Sequence, residues 1–259
     1  MLWRTARRVV TVTTMVGSAR ALKVRSLKAL AGVSWLKADQ LEKLASALTV
    51  TRHEKRSTIF SDKSPVESAY ILLSGVARIT CDNRKGRRTT AIMLAPGLIP
   101  AFPTATIGIT YNFRCEAVTS CQVGTIGLHA FMKICLGIGS AAFKQMAGGF
   151  LGRWDRVHLR CSNLVGCTLE ERLALVLLDL IEDFGVPNAD GGVRLSVPVR
   201  HDDLAELVGA TRPRVTERLR KFTQKHLISQ QDRHLVLDPE RLRDFLVESR
   251  SEALSGELS

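Results

Sequence analysis

The spacing of apolar residues changes period along this chain, and each change marks an element. Leu36, Leu41, Leu44, Ala45 and Leu48 fall on one face of a helix over 34–48, with Asp39 and Glu42 near its start. Beyond it the period drops to two. Short strands are predicted over 58–60, 69–73, 76–80, 89–94, 112–118 and 122–126, separated by the turn clusters SDKSP, SG, DNRKG and APG. So many short strands at this spacing indicate a β-sandwich or barrel-like roll. A short helix follows over 129–135. A long one over 141–164 then carries Phe143, Ala147, Phe150, Trp154, Val157, Cys161 and Leu164 at spacings of four and three. That heptad seam is narrower than a core-facing stripe and is the pattern of a helix pairing with its own copy. Gly148, Gly149 and Gly152 beside it weaken the helix or allow close approach.

Thr168 caps a further apolar helix, with Glu171 at the capping-box position and Gly185 at its end. A strand over 193–197 leads to the stretch HDDLAELVGATRPRVTERLRKFTQK, from His201 to Lys225, which reads as two short helices joined by a tight turn. Leu204, Ala205 and Val208 form the inner face of the first, and Gly209 suits the left-handed cap that the turn needs. Thr211 offers a hydroxyl cap to the second helix, and Pro213 sits in its first turn, where a missing N–H is tolerated. Val215, Leu219 and Phe222 face inward. The opposite side carries Pro213, Glu217, Arg220 and Gln224, flanked by Arg212, Arg214, Thr216 and Lys221. Strands over 227–230 and 234–237 around a polar turn form a wing, and a last helix over 239–247 packs back.

Charge changes this picture locally rather than globally. The formal net charge is +12 over 259 residues, yet the region from Thr168 onward is net acidic. Between Thr211 and Lys225, by contrast, six arginines and lysines stand against one glutamate, which concentrates positive charge where phosphates would lie. No apolar run reaches membrane-span length. Residues 1–33 are basic and acid-free, without the apolar core of a secretory signal; they are expected to be a disordered extension, with Met15 as an alternative start. Six cysteines lie apart without a Cys-x-x-Cys pair, which suits a reducing cytoplasm and argues against a zinc ribbon. Paired catalytic carboxylates, a nucleophile elbow and a phosphate-cradling catalytic loop are absent from the pattern, so an enzyme is not expected.

A roll, a long heptad helix, then helix, strand, helix-turn-helix and wing, in this order, resembles the Crp/Fnr superfamily of bacterial transcription regulators across residues 34–249. The most specific part is DDLAELVGATRPRVTERL, with Ala205, Gly209 and Val215 at the family's spacing; YILLSGVARI and GRRTTAIMLAPG resemble the core of its roll. The resemblance implies DNA contacts from Arg200, His201, Thr211, Arg212, Pro213, Arg214, Thr216, Glu217, Arg220 and Lys221. Arg212 matches the arginine that pairs with guanine. Pro213 and Glu217 depart from the family's Glu and Arg, so the operator is not transferable. Arg218 and Arg200, in place of an apolar residue and a hydroxyl cap, are expected to turn to phosphates. In the roll, Ala101 and Phe102 stand where cyclic-nucleotide binders have Gly-Glu, and Tyr111 and Asn112 about where they have Arg-Ser. A buried phosphate needs cations or N–H donors, so cyclic AMP is not expected to bind.

The fold class expected is α+β: an antiparallel β-roll over 34–140, a dimerisation helix over 141–166 and a winged helix-turn-helix domain over 167–259, after the extension 1–33. The function expected is a cytoplasmic homodimeric transcription regulator that binds a palindromic site on double-stranded DNA and contacts RNA polymerase, with no cofactor, no metal and an unidentified effector. The alternatives are a haem- or thiol-based sensor and a regulatory protein that binds no DNA. For the first, His53, His129 and His158 lie in the sensor half, and Cys161 on the seam would meet its copy.

Overall fold

The computed structural model describes residues 24–30, 33–82, 88–100, 110–111, 113–136, 139–189 and 191–256, with side chains as far as 251. Most of the expected extension, most of the DNRKG turn, and Ala101, Phe102 and Asn112 lie outside the described residues. The chain divides into two compact units: Met1–Cys81 with Met93–Gly152, and Asp82–Ile92 with Arg153–Ser259.

The first unit opens on a short helix, α1 (residues 24–28), and α2 (Ala38–Ala47). Then come β1 (Thr49–His53), β2 (Thr58–Phe60), β3 (Ser68–Ser74), β4 (Ala77–Asp82), β5 (Arg88–Leu94, most of which falls in the second unit), β6 (Gly97–Leu98), β7 (Arg114–Ala117), β8 (Cys121–Gly127) and α3 (Leu128–Cys135). Two four-stranded sheets, in the orders β1-β8-β3-β6 and β2-β7-β4-β5, make the expected roll. Strand β1, missing from the sequence expectation, pairs with β8 from Thr49↔Thr125 to His53↔Cys121. Leu27, Leu30, Val33, Trp35 and Leu36 are buried in one core with Leu41, Leu44, Ile71 and Phe131. The packed unit thus reaches back past the expected boundary at residue 34, because three apolar residues at spacings of three sit inside the Arg-rich segment. Between β3 and β4, Gly75 has φ +90°, and a Cβ there would lie 2.4 Å from the Ser120 carbonyl oxygen and 2.8 Å from Cys121 Sγ. Only glycine meets both demands. Cys121 is buried, and its thiol donates to the Val76 carbonyl.

Helix α4 (Ser140–Gly166) has 27 residues, a length of about 40 Å. In the second unit, α5 (Leu169–Phe184) starts with the expected capping box. The Thr168 amide donates to Glu171 Oε2 at 2.7 Å, and the Glu171 amide donates back to Thr168 Oγ1 at 3.3 Å. Strands β9 (Gly185–Pro187) and β10 (Val193–Leu195) follow, then α6 (His201–Val208), α7 (Arg212–Gln224), β11 (Ile228–Gln231), β12 (His234–Leu237) and α8 (Pro239–Gly256). The sheet order is β11-β12-β10-β9, with the wing pairing antiparallel from Ile228↔Leu237 to Gln231↔His234. Helix α8 runs past the expected end at 247. Asp238 Oδ1 accepts from the amides of Glu240 and Arg241 and so caps its start.

Near its start α4 packs Ala142 and Met146 on the core of the first unit, whereas the face it turns to α5 is charged. Arg156 pairs with Glu182 at 3.1 Å and Asp183 at 3.3 Å, and Arg160 with Asp179 at 2.8 Å, all on α5. Arg160 also donates to the Ala91 carbonyl at 3.0 Å, while the Thr90 hydroxyl donates to Glu206.

Candidate nucleic-acid interface

The interface is built from α6 and α7. Leu204, Ala205 and Val208 of α6 and Val215, Leu219 and Phe222 of α7 are buried, as their spacing predicts. Each of these side chains other than Ala205 contributes about 1.5–3 kcal/mol by leaving water. Gly209 adopts φ 66° and ψ 40°, the left-handed cap expected of it, and the Ala210 amide closes the turn on the Ala205 carbonyl at 2.9 Å. Two ring contacts tie α7 to α8: the rings of Phe222 and Phe245 meet edge-on at 5.4 Å, and Lys225 Nζ lies 5.3 Å from the Phe245 centroid.

Thr211 departs from expectation. It stands at the N-cap with extended backbone, yet its hydroxyl makes no cap hydrogen bond. A capping oxygen accepts from the second or third amide of the helix. The second helical residue here is Pro213, which has no N–H. Pro213 starts the helix well and at the same time removes one of the two donors that a cap would use. Thr211 remains exposed on the interface side.

The outward face of α7 is as expected. Arg212, Pro213, Arg214, Thr216, Glu217, Arg220 and Lys221 are all exposed, with Pro213, Glu217 and Arg220 on the side opposite Val215, Leu219 and Phe222 and the others at its flanks. Arg214 and Arg220 make no hydrogen bond or ion pair among the described residues. Arg212 Nε lies 3.7 Å from Asp202 Oδ1, and Lys221 Nζ lies 3.7 Å from Glu217 Oε1; both pairs are solvent-exposed and worth little. His201 Nδ1 shares a 2.8 Å hydrogen bond with Thr216 Oγ1, which ties the start of α6 to the exposed side of α7.

Arg218 does not turn to phosphates. It is largely buried, 2.8 Å from Glu170 and 3.2 Å from Glu217, so an acid at the start of α5 turns it inward. Arg200 is exposed, and its amide donates to Asp203 Oδ2 at 3.1 Å, the backward half of a capping box; the forward bond that a hydroxyl would accept is not made. Sequence spacing did not single out Asp202 or Glu170, because nothing in a linear pattern links either to an arginine 10 or 48 positions on.

Comparison with known proteins agrees with this geometry. Residues 50–137 match the model of the cyclic nucleotide-binding domain, and residues 171–245 that of the Crp-like helix-turn-helix domain. The chain belongs to the Crp/Fnr family. The global nitrogen regulator of Synechococcus elongatus is 25% identical over 184 residues, covering 70% of this chain and 82% of that one. The nitrogen fixation regulation protein FixK of Azorhizobium caulinodans is 28% identical over 175 residues, covering 68% and 69%. Among solved structures, FixK2 of Bradyrhizobium japonicum superposes with a TM-score of 0.65 at 20% identity, over 76% of this chain and 96% of that one. This Crp/Fnr protein is therefore a transcription regulator with a DNA-binding helix-turn-helix domain, and its relatives are regulators rather than enzymes. No described helix is long and apolar enough to cross a membrane.

In the Crp/Fnr roll, Tyr111 is the described member of the pair expected about where cyclic-nucleotide binders have Arg-Ser. It is buried, stacks on Phe60 with centroids 4.4 Å apart, and donates its hydroxyl to the Ser68 carbonyl at 3.3 Å. Burial, together with the neighbouring Tyr70, pushes its phenol well above the ordinary range.

Proposed function

We propose that two copies of this Crp/Fnr regulator bind a palindromic DNA site in the cytoplasm, each placing α7 in a major groove, with half-sites about one helical turn, roughly 34 Å, apart. The observation that carries the reading is the outward face of α7, where Arg214 and Arg220 are exposed and unpaired among the described residues. Arg212 reads guanine and exchanges its weak pairing with Asp202 for two hydrogen bonds to the base. Thr216, held by His201, and Arg200, Thr211 and Lys221 position the helix on the backbone. Pro213 and Glu217 give the protein a half-site of its own.

The copies pair through the exposed apolar side of α4, which joins Phe143, Phe150, Trp154, Cys161 and Leu164. Ala147 and Val157 are half-buried and flank it. The roll takes an effector other than cyclic AMP, a reading supported by Tyr111, stacked on Phe60 about where the family's nucleotide binders have Arg-Ser. On bound DNA the regulator contacts RNA polymerase.

Selection of duplexes from a random pool by the purified chain, followed by affinity measurement across salt concentrations, tests this. A two-fold symmetric consensus is expected, with binding that weakens steeply as salt rises. Equal affinity for all duplexes, or none, would overturn it.

A further inference from the structure

One pair of metal-ligating side chains plays no part in the interface. His158 and Cys161 are both exposed on α4. Three residues apart, they are offset by about 4.5 Å along the axis and about 60° around it. The exposed apolar side chains Trp154 and Val165, 57% and 94% accessible, lie on the same side of the helix. The His158 ring meets that of Trp154 edge-on at 5.6 Å. Behind them Arg156 and Arg160 are turned the other way, into the acids of α5. On the free side, positions 151, 154, 158, 161 and 165 recur at spacings of three and four, which centres a heptad seam between His158 and Cys161.

Within one chain, no group of three or more His, Cys, Asp or Glu is arranged to hold a metal ion among the described residues. A parallel two-fold pairing of α4 changes the count. It sets two imidazoles and two thiols in adjacent layers of one seam, the number and kind of ligands that tetrahedral zinc takes. Packed helix axes lie about 8–10 Å apart, so seam side chains from both copies reach a common point. We propose that two copies of this chain bind one divalent ion of the zinc class between their α4 helices, through His158 and Cys161 of each copy. On binding, each thiol releases its proton to solvent as the sulfur–metal bond forms, and each imidazole coordinates through the lone pair of its neutral ring. The site rests on the dimer proposed above. It departs from the expectation of no metal, which came from spacing within a single chain.

The test uses the full chain, freed of any histidine tag and treated with chelator, titrated with cobalt(II) and then zinc while sedimentation reports its mass. The expected result is the intense visible absorption of four-coordinate cobalt with sulfur ligands, saturating at one ion per two chains and bleached by zinc. Cys161→Ser and His158→Ala should each weaken binding at least tenfold, whereas Cys81→Ser, at an exposed thiol elsewhere, should leave it unchanged. All three positions are exposed, and circular dichroism verifies the fold of each variant. A dimer that shows no such band, a stoichiometry of one ion per chain, or full binding by Cys161→Ser would overturn the metal site and leave the dimer standing. A monomer at every metal concentration would overturn the dimer and the site together.

Discussion

Helices α4 and α7 are opposites. Helix α7 buries Val215, Leu219 and Phe222 against its own chain and shows water a row of arginines. Helix α4 turns Arg156 and Arg160 inward to the acids of α5 and shows water Trp154, Leu151 and Val165. A solvated charged face has no unmet need; it becomes a binding surface only because its sign suits phosphates. An exposed apolar side of this extent does have one, since monomeric proteins rarely leave contiguous apolar surface open. The contrast separates two kinds of interface in one chain, one driven by burial and the other by charge.

Substitutions can break that contrast at either helix. Leu219→Ala attacks the buried side of α7 and should cost about 2–5 kcal/mol in thermal or denaturant unfolding, with DNA binding lost as the domain opens. Trp154→Glu sets a charge on the apolar side of α4. It should raise the dimer dissociation constant by about 100-fold, or about 2.7 kcal/mol, in sedimentation while leaving unfolding of the chain nearly unchanged. If Trp154→Glu instead destabilised the chain and left its mass alone, the apolar side would belong to the chain's own core.

The charged side is probed more finely. Arg212→Ala should cost about 1–3 kcal/mol on the preferred duplex and relax selection at one base pair, whereas Arg214→Ala should weaken all sequences alike and lower the salt slope by about 1. Equal losses on every sequence for Arg212→Ala would remove its role in base selection. The smallest effect is expected away from both faces, at the start of α5. Thr168→Ala should cost about 1 kcal/mol of stability through loss of the cap. Burial pushes the Glu171 carboxyl up, but hydrogen bonds from the Thr168 amide and hydroxyl and from Ser249 outweigh it and hold its pKa below the ordinary value. A depressed folded-state pKa gives a contribution that is full at neutral pH and lost as pH falls through the carboxylate range. Glu171→Gln should therefore flatten the acid limb of the stability curve, as read by unfolding at a series of pH values.

The helix-turn-helix was legible because its signals are local: one glycine with a left-handed cap and two short stripes of buried residues. The roll was legible as a class, but β1 was missed because TVTRH shows too few large apolar residues to stand out until β8 lies beside it. Of the expected seam of α4, Phe143, Phe150, Trp154, Cys161 and Leu164 are exposed and Val157 is half-buried, while Leu151, His158 and Val165 are exposed beside them. The inward turn of its arginines was not legible, because sequence alone assigns a charged residue to water and the acids that turn Arg156 and Arg160 inward come 19 to 27 residues later. The lost cap at Thr211 is a different kind of miss. Two rules that each favour a helix start, a hydroxyl at its edge and a proline in its first turn, meet here, and the proline removes one of the two amides that the hydroxyl could have used.

Gly209 has a second constraint beyond its backbone angle. A Cβ there would lie 2.8 Å from Leu164 Cδ2, so the end of α4 rests on the turn that launches α7. The contact works as a bearing. Alanine at this point would displace the tip of the Leu164 side chain and hold a Cβ in the left-handed region, loading the turn while the charge and apolar area of both helices stayed the same.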